Sequence, residues 1–522
     1  MSLILVLPIL IPLFTASLCM LAWRRTRVQH ALCVAGALAL LGATALLLEA
    51  VWRNGIQATQ AGNWPAPFGV TLVADLLSAT MVLLAALVGV AVVLYSGATI
   101  DGRRVAFGYY PIMQILVMGV CGAFLTGDIF NLYVWFEVML MASFVLLALG
   151  GERAQLEGAI KYVTLNLVAS TLFLTAAGLL YALTGTLNMA DLAVKLQGAP
   201  HQGLISTLSM LFLVSFGIKA GVFPLFFWLP ASYHTPPFAV SALFAGLLTK
   251  VGVYTLIRVF TLIFVGDVGY THTIILVIAG LTMITGVLGA LAQSEVRRVL
   301  SFLIISGIGF AVMGLGLFTA GGLSAAVVYL IHTIMVTTAL FLLAGVIRHL
   351  GSSEELAKLG GLYAARPGVA LLFLICALSL AGIPPFSGFI AKLALLKAAL
   401  GGGQYGIAAV SLVASVLTLL AVTRIWSETF WKEAPQMGGE GGEEQATSRS
   451  GSLRPAMVLP IAALAMLSVA MGLGAAPVVA LSERAAQQLV DRSQYVRAVL
   501  GEDAASNVVR GSVAPGSAGG AP

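Results

Sequence analysis

The sequence predicts an all-α polytopic membrane protein with about fourteen transmembrane helices, two of which are interrupted within the membrane. Of its 522 residues, 60% are hydrophobic and only 9% are charged, and the mean hydropathy is +1.02. A soluble globular protein of this length would not have that composition. Apolar runs of about 20 residues, the length needed to cross a bilayer, follow one another along the chain. Glycine and proline residues interrupt two of these runs.

The predicted helices follow from the apolar runs, taken in chain order between the polar residues that separate them. The fourteen ranges are 2–23, 29–52, 70–96, 107–126, 129–149, 160–184, 203–232, 236–262, 272–292, 298–319, 323–349, 367–400, 406–430 and 454–481. The Gly- and Glu-rich segment 436–452 predicts a flexible loop, and the chain after about residue 485 has the composition of a polar tail.

The first interruption falls in the range 203–232, in the segment SFGIKAGVFPLFFWLP. Gly217 and Gly221 weaken the helix there, and Pro224 removes a backbone donor and clashes with the preceding turn. Lys219 lies inside this segment, where burying a charged side chain costs free energy that no simple structural role explains. The pattern therefore predicts a helix that is broken near the middle of the membrane beside a buried lysine.

The second interruption repeats this pattern about 160 residues later, in the range 367–400. The segment Ala-Gly-Ile-Pro-Pro ends in Pro384 and Pro385, and Lys392 follows it inside the same apolar range. Two interrupted helices in corresponding positions of two chain halves, each with a buried cation, indicate a transport pathway.

The orientation follows from the lysine and arginine residues. Sixteen of the 27 lie in or beside loops that follow odd-numbered helices, and eight, with Arg258 among them, lie on the other side or in the tail. The remaining three are Lys219, Lys250 and Lys392. We therefore expect the odd loops to face the cytoplasm and both termini to face outward. The net charge of +6 then reflects membrane topology and does not indicate nucleic-acid binding.

Glu137 lies near the middle of the predicted helix 129–149. Carboxyl groups inside a membrane are costly and are usually functional. Glu137 is therefore a candidate proton carrier. The alternative is a structural counter-ion that neutralises Lys219, and the two roles are compatible.

Lys250 and His332 lie inside the predicted helices 236–262 and 323–349. No acidic residue of its own helix lies within a turn of Lys250, and the apolar run after it places the amine far from the membrane surface. A buried amine without a counter-ion suits a proton relay. A lone histidine is more often a hydrogen-bonded core residue, but the buried lysines make His332 a candidate carrier as well. His234 is a weaker candidate for a gate near the cytoplasm.

The sequence contains no motif for an energy source or a cofactor: no P-loop, no dinucleotide fingerprint, and no haem or iron–sulfur ligand set. Its four cysteines lie singly in apolar runs, so we expect neither a disulfide nor a metal site. We therefore predict no cofactor. We expect a membrane transporter component that a gradient or a partner drives, instead of an enzyme.

Five features occur in one order between residues 70 and 430. They are Phe136-Glu137, Lys219 with Pro224 and Trp228-Leu229-Pro230, Lys250, the loop Arg297-Arg298-Val299-Leu300-Ser301, and Gly382-Ile383-Pro384-Pro385 before Lys392. Together they resemble the antiporter-like subunits, which are the homologous membrane subunits of complex I and of Mrp-type multisubunit cation/proton antiporters. The segment NLYVWFEVML, the lack of a long extension and the lysine of the twelfth helix are most similar to the D-type subunits of the Mrp antiporters.

The resemblance implies two inverted five-helix repeats, helices four to eight and nine to thirteen, each with half of a proton path. It implies that Glu137 pairs with Lys219, that Lys250 bridges, that His332 links the halves and that Lys392 ends the path. Lys219 precedes its break whereas Lys392 follows its own, so the repeats are not symmetric in where they place charge. The implied division is 1–100 (helices one to three), 107–262 (first repeat), 272–430 (second repeat), 431–453 (flexible cytoplasmic loop) and 454–522 (helix fourteen and polar tail).

Three functional hypotheses remain at this stage. The first is a subunit of a Na⁺ or K⁺/H⁺ antiporter of the bacterial cytoplasmic membrane, with other membrane subunits as partners. The second is a proton-pumping subunit of an NADH:quinone oxidoreductase or hydrogenase-type complex. The third, a structural scaffold, is disfavoured because each buried lysine costs about 2.5–3.5 kcal/mol. No acidic cluster suitable for Na⁺ is visible, so we expect the cation path to lie mainly in another subunit.

The charge distribution predicts the outcome of topology mapping. Reporter domains fused after residues 102 and 355 should report a cytoplasmic location, whereas a fusion after residue 198 should report the outer side. The reverse pattern would contradict the helix count or the charge argument.

Overall fold

A computed structural model describes residues 3–197, 201–433 and 453–511, and most of this chain is helical. The first eleven helices are α1 (Leu3–Leu21), α2 (Thr26–Asn54), α3 (Leu76–Thr99), α4 (Gly102–Ala106), α5 (Tyr109–Leu125), α6 (Ile129–Ala148), α7 (Arg153–Thr184), α8 (Met189–Lys195), α9 (Gln202–Ala220), α10 (Trp228–Ser232) and α11 (Phe238–Leu262). The others are α12 (Val268–Leu291), α13 (Val296–Leu317), α14 (Ala320–Gly351), α15 (Leu362–Ala365), α16 (Pro367–Ala381), α17 (Ser387–Gly401), α18 (Tyr405–Trp431), α19 (Pro455–Leu473), α20 (Ala476–Val490), α21 (Arg492–Leu500) and α22 (Glu502–Gly511).

The polytopic all-α prediction is confirmed. Within the described chain, twelve helices are long and apolar enough to cross a membrane, and the shorter apolar helices α5 and α16 occupy two further predicted ranges. The predicted flexible loop 436–452 lies outside the described residues. Helices α11 and α14 are buried along their whole apolar length and pack against each other. The centre of the molecule is therefore formed by the two helices that carry Lys250 and His332.

The prediction that a helix begins at residue 70 is wrong. Strands β1 (Gln57–Gln60) and β2 (Thr71–Ala74) form an antiparallel hairpin in which Gln57 faces Ala74 and Gln60 faces Thr71. Helix α3 begins only after Asp75, whose side chain accepts a hydrogen bond from the N–H of Ser78 in a capping box. The apolar run is continuous across this boundary, so hydropathy alone could not separate the strand from the helix.

Both predicted interruptions are confirmed, and their first turns have the same geometry. Helix α9 ends at Ala220 and α16 ends at Ala381, and the next residue in each case is a glycine in the left-handed region, with φ of 80° at Gly221 and 91° at Gly382. The following N–H groups return to carbonyls of the last turn in a Schellman motif. Pro224 lies in the first non-helical segment, and Pro384 and Pro385 lie in the second.

The carboxyl-terminal segment corrects the predicted polar tail. The predicted range 454–481 divides at Gly474 into α19 and α20, and α21 and α22 continue the helical structure to residue 511. Helix α20 packs against α14 and α3, and its Gln488 side chain accepts a hydrogen bond of 2.9 Å from the N–H of Leu76. An amphipathic sequence with a low mean hydropathy thus forms helices that cover one end of the bundle.

A buried ion pair connects α3 with α11 at this end of the molecule. Arg258, which the charge count assigned to the outer loops, lies inside the protein and contacts Asp75 at 2.6 Å, with both side chains 5% exposed or less. Tyr254 and Tyr495 lie against the guanidinium, at 5.4 and 5.3 Å from their ring centres. Asp75 therefore caps α3 and neutralises the arginine of α11, while α21 covers both.

We expect Asp75→Asn to lower the free energy of unfolding by about 3–5 kcal/mol, because it leaves a buried guanidinium without its counter-charge. Thermal unfolding of the detergent-solubilised chain measures this effect. Glu49→Gln, which breaks an exposed pair with Arg53, is the control and should change the free energy by less than about 1 kcal/mol. Adding Arg258→Gln to Asp75→Asn should recover part of the loss, and a double variant less stable than either single variant would contradict the pairing.

Candidate functional site

Lys219 lies in the last turn of α9, directly before the first break, and is 5% exposed. Its Nζ donates a hydrogen bond to Ser170 Oγ at 3.1 Å and lies 4.8 Å from the centre of the Phe136 ring. A void of about 20 Å³ between Lys219 and Asn166 adjoins the amine, enough for about one water molecule. The ammonium group is thus held by a neutral hydroxyl and an aromatic face.

Glu137 follows Phe136 on α6 and is only partly buried. No ion pair within 4.0 Å joins Glu137 and Lys219 in the part of the chain that the structure describes, and Glu137 Oε1 has no hydrogen-bond partner there. The predicted pairing is therefore not a direct contact in this structure, because the Phe136 ring and Ser170 lie against the amine instead. Charges separated by more than contact distance still interact in a poorly solvated interior.

Lys250 lies in the middle of α11 and is 2% exposed. Its Nζ donates to the carbonyl oxygen of Ala245 at 2.5 Å. Ala245 belongs to a π-helical turn, Phe244–Leu248, a local widening that often marks functional positions in helices. Thr337 Oγ1 of α14 also approaches this oxygen, at 3.4 Å.

Close backbone packing brings α11 to the first break. A Cβ added to Gly252, two residues after Lys250, would lie only 2.5 Å from the backbone nitrogen of Ala220 and 2.8 Å from the carbonyl carbon of Lys219. The glycine therefore lets the helix that carries the second lysine touch the end of the helix that carries the first. The structure brings Lys219 and Lys250 onto adjoining backbone segments.

His332 is completely buried on α14. Its Nδ1 lies 2.8 Å from Ser387 Oγ at the start of α17, whereas its Nε2 has no hydrogen-bond partner among the described residues. Thr337 lies on the same helix and bonds to the carbonyl of Thr333, the residue after the histidine. Polar groups of α14 thus extend from the Lys250 position towards the second break.

Lys392 lies on α17, and its side chain extends back across the second break. Its Nζ donates to the carbonyl of Ala381, the last residue of α16, at 3.0 Å and lies 4.7 Å from the centre of the Phe310 ring. It therefore places its amine at the carboxyl-terminal end of the helix before the break. Like Lys219, it also lies on a phenylalanine face. In the sequence, Lys219 precedes its break and Lys392 follows its own. Because the Lys392 side chain points back across the break, its amine contacts the helix that precedes the break, and this largely removes the asymmetry.

His234 lies between α10 and α11, away from these groups. Its Nδ1 is 2.8 Å from the carbonyl of Pro230, and its Nε2 is 3.2 Å from Arg298 at the edge of a cavity of about 410 Å³. Burial, followed by the neighbouring Arg298 guanidinium, lowers the pKa of His234 below its ordinary value. The histidine lines a polar cavity, and its role as a gate stays a prediction.

The hydroxyl partners Ser170 and Ser387 were not predicted from the sequence, whereas Thr337 belongs to a mildly polar stripe that also contains His332 and Thr338. Serine and threonine are common in transmembrane helices, so their presence carries little signal without knowledge of which helices meet. In the described residues, no group of three or more His, Cys, Asp or Glu side chains is placed to hold a metal ion. The site consists of buried amines and an imidazole held mainly by neutral oxygen atoms.

Comparison with known proteins places this geometry in a family. The family described as "NADH:quinone oxidoreductase/Mrp antiporter, TM" matches residues 126–418, which include both breaks and all five polar residues of the site. The chain belongs to the NADH:quinone oxidoreductase/Mrp antiporter family. The chain is a multi-pass membrane protein, and the relatives below that carry the name of an antiporter are transporter subunits.

Individual relatives cover almost the whole chain. The D-type subunit of the Na⁺/H⁺ antiporter of Alkalihalophilus pseudofirmus is 45% identical over 502 residues, which are 96% of this chain and 100% of the relative. A chain of the Mrp complex from Dietzia sp. DQ12-45-1b has a TM-score of 0.88 at 33% identity. The match covers 96% of this chain and 100% of that chain. A chain of an archaeal membrane-bound sulfane sulfur reductase has a TM-score of 0.84 at 24% identity, with coverage of 96% and 100%, and shares the fold.

The close packing at the second break predicts a sensitive glycine. An added Cβ at Gly388 would lie 1.8 Å from the carbonyl oxygen of Ser379 and 2.9 Å from His332 Cε1. We expect Gly388→Ala to lower the free energy of unfolding by about 1–3 kcal/mol or more, because neither neighbour can move freely. Gly401→Ala in the same helix meets no atom within 4 Å and is the matched control. Equal melting temperatures for the two variants would contradict this packing.

Proposed function

We propose that this chain is the D-type subunit of a multisubunit Na⁺ or K⁺/H⁺ antiporter in a bacterial cytoplasmic membrane, and that it conducts protons that drive cation export. The relay residues are Glu137, Lys219, Lys250, His332 and Lys392. The observation that carries the proposal is that all three lysines of the site, two of them buried and Lys392 partly buried, hydrogen-bond to neutral oxygen atoms, at 3.1, 2.5 and 3.0 Å. The near full-length similarity to a D-type subunit of an Na⁺/H⁺ antiporter supports the substrate class.

The lysine partners explain how the amines could exchange protons. An ammonium bonded to a hydroxyl or a carbonyl keeps one directional contact but has no full counter-charge in contact, so its protonation responds to charges that move nearby. Glu137 is the charge to consider for Lys219, because it directly follows Phe136, whose ring covers the amine. Protonation of the carboxyl, or a swing of the lysine, would then move a proton towards Lys250.

The second candidate is a proton-pumping subunit of an NADH:quinone oxidoreductase or hydrogenase-type complex. The family description covers both classes, and the similarity to the sulfane sulfur reductase chain concerns the fold. The 45% identity over the full relative favours the antiporter. Isolation of the native complex separates the two: small antiporter subunits support the first, and iron–sulfur or quinone-binding subunits support the second.

Several further points belong to the proposal. The segments 107–262 and 272–430 act as two inverted repeats, the odd loops face the cytoplasm, and both termini lie on the outer side. Partner membrane subunits complete the antiporter, and the cation passes mainly through one of them, because the described residues offer no multi-carboxylate site for a hard cation.

The ordering of proton fluxes tests the coupling of Glu137 and Lys219. In everted vesicles that carry the whole complex, wild-type flux should exceed that of Glu137→Asp, and Glu137→Gln and Lys219→Arg should fall near background. Glutamine removes the carboxylate charge at nearly constant volume, which abolishes the coupling, whereas arginine stays charged at any accessible pH.

Lys195→Arg, in an exposed ion pair, is the control for the arginine substitution and should keep wild-type flux. All variants are compared at equal amounts of assembled complex. A Glu137→Gln complex as active as wild type would show that the carboxylate does not control Lys219.

A further inference from the structure

Three serine hydroxyls meet at the second break, and each is completely buried. Ser379 Oγ lies 3.1 Å from Ser387 Oγ and 2.8 Å from Ser468 Oγ, and the last two lie 2.7 Å apart. Each oxygen is thus within hydrogen-bond distance of the other two. We call these three residues the serine ring.

The ring joins three helices. Ser379 belongs to the last turn of α16, Ser387 begins α17, and Ser468 lies on α19, which is outside both proposed repeats. Helix α19 sits tightly on the break, because a Cβ added to Gly472 would lie 1.9 Å from the carbonyl oxygen of Pro385. The position of Ser468 is therefore fixed by backbone contact with the interrupted segment.

The hydroxyls of the ring do not make the bonds that serines usually make in helices. Several other buried serines of this protein donate to a carbonyl of their own helix three or four residues earlier, as Ser301 does to Arg297 and Ser411 does to Ala408. Others bond across helices, as Ser215 does to Ala169 and Ser324 does to Ser482, but only as single contacts. In the described chain, the ring hydroxyls bond to one another and to His332 instead. Serines that only filled space between helices would not need to replace hydrogen bonds to their own backbone with hydrogen bonds to one another.

The protons that the three hydroxyls can donate and accept determine how the ring can transfer a proton. Each hydroxyl has one proton to donate and can accept, so three hydroxyls satisfy one another in either of two directions around the ring. His332 Nδ1 adds a fourth group at Ser387, at 2.8 Å, and the opposite nitrogen Nε2 has no partner among the described residues. The histidine can therefore take up a proton at Nε2 while Nδ1 faces the ring.

We propose that the serine ring is a proton-transfer site between His332 and the second break, so that α19 contributes Ser468 to the proton path; this inference rests on the proposed function. A proton that arrives at Nε2 makes the imidazole cationic, and Nδ1 passes its own proton to Ser387 Oγ. The hydroxyl proton of Ser387 moves in the same step to Ser468 or Ser379, and one ring proton leaves towards the break. The acceptor is the unprotonated amine of Lys392, which bonds to the Ala381 carbonyl in this structure and must leave it to reach the ring, because no hydrogen bond joins the two among the described residues.

The step conserves protons, because one enters the ring and one leaves, and no hydroxyl holds two at once. Only N–H and O–H bonds form and break. Afterwards the hydroxyls point in the opposite direction and His332 carries its proton on Nε2. The hydroxyls must therefore rotate and the imidazole must return to the Nδ1–H tautomer before the next proton can follow. A ring, unlike a single chain, offers two routes from Ser387 to Ser379, one direct and one through Ser468.

The proposal predicts a graded loss of cation-dependent proton flux in everted vesicles with the whole complex. Ser387→Ala removes the contact with His332 and should lower the flux at least about tenfold, whereas Ser468→Ala leaves the direct route of 3.1 Å and should lower it about threefold to tenfold. The ratio of flux in H₂O to flux in D₂O should rise in Ser468→Ala, because hydroxyl transfer then becomes rate-limiting. Ser411→Ala, a buried serine bonded only to its own helix, is the control and should keep wild-type flux and isotope ratio.

A merely structural role is tested with two substitutions of equal volume. Ser468→Thr keeps a hydroxyl and Ser468→Val does not, so flux that survives in the threonine variant alone supports proton transfer. Equal flux in the two, whether high or low, overturns the inference, as does wild-type flux in Ser468→Ala. His332→Ala separates the two proposals: if it retains flux, the relay through the histidine fails, and if it abolishes flux while all three serine-to-alanine variants remain active, only the serine ring fails.

Discussion

A helix that stops inside a membrane leaves its last carbonyl groups without partners, and the structure depends on how this constraint is met at two places. At each break a glycine in the left-handed conformation, Gly221 or Gly382, returns backbone N–H groups to the last turn. A lysine belongs to each break: Lys219 lies in the last turn of the helix before the first break, and Lys392 reaches back to the Ala381 carbonyl at the negative end of the helix before the second. Each break therefore has a lysine amine beside it, in a defined position.

The sequence predicts the breaks and the buried lysines because these signals are local. Glycine and proline inside an apolar run have few alternative explanations, and a lysine in the middle of such a run is costly wherever the helix packs. The side-chain direction is not local, however. Lys392 follows its break in sequence, and only the fold shows that its amine returns to the end of α16. The positions of the two lysines in the sequence therefore suggest a larger difference between the two halves than the structure shows.

The sequence could not predict contacts between distant segments. Asp75 and Arg258 are 183 residues apart, and each resembles an ordinary residue at a helix end until the fold brings them to 2.6 Å. The β-hairpin and helices α20 to α22 were missed for related reasons: a short apolar strand merges with the apolar helix after it, and an amphipathic helix at the end of the chain has the composition of a tail. Ser170 and Ser387 carry no distinguishing signal, because hydroxyl residues are frequent in such helices.

The buried cations divide into two chemical classes with different partners. The arginines Arg258 and Arg297 contact the carboxylates of Asp75 and Glu354 at 2.6 and 2.5 Å, and a guanidinium cannot release its proton at any accessible pH. The buried Lys219 and Lys250 and the partly buried Lys392 contact hydroxyl or carbonyl oxygens instead. A full counter-charge in contact would hold a proton on an amine, whereas a neutral oxygen orients the amine without fixing its charge. The chain thus uses paired arginines where charge must stay and unpaired lysines where charge can change, which is the separation that a proton path inside a stable helical bundle requires.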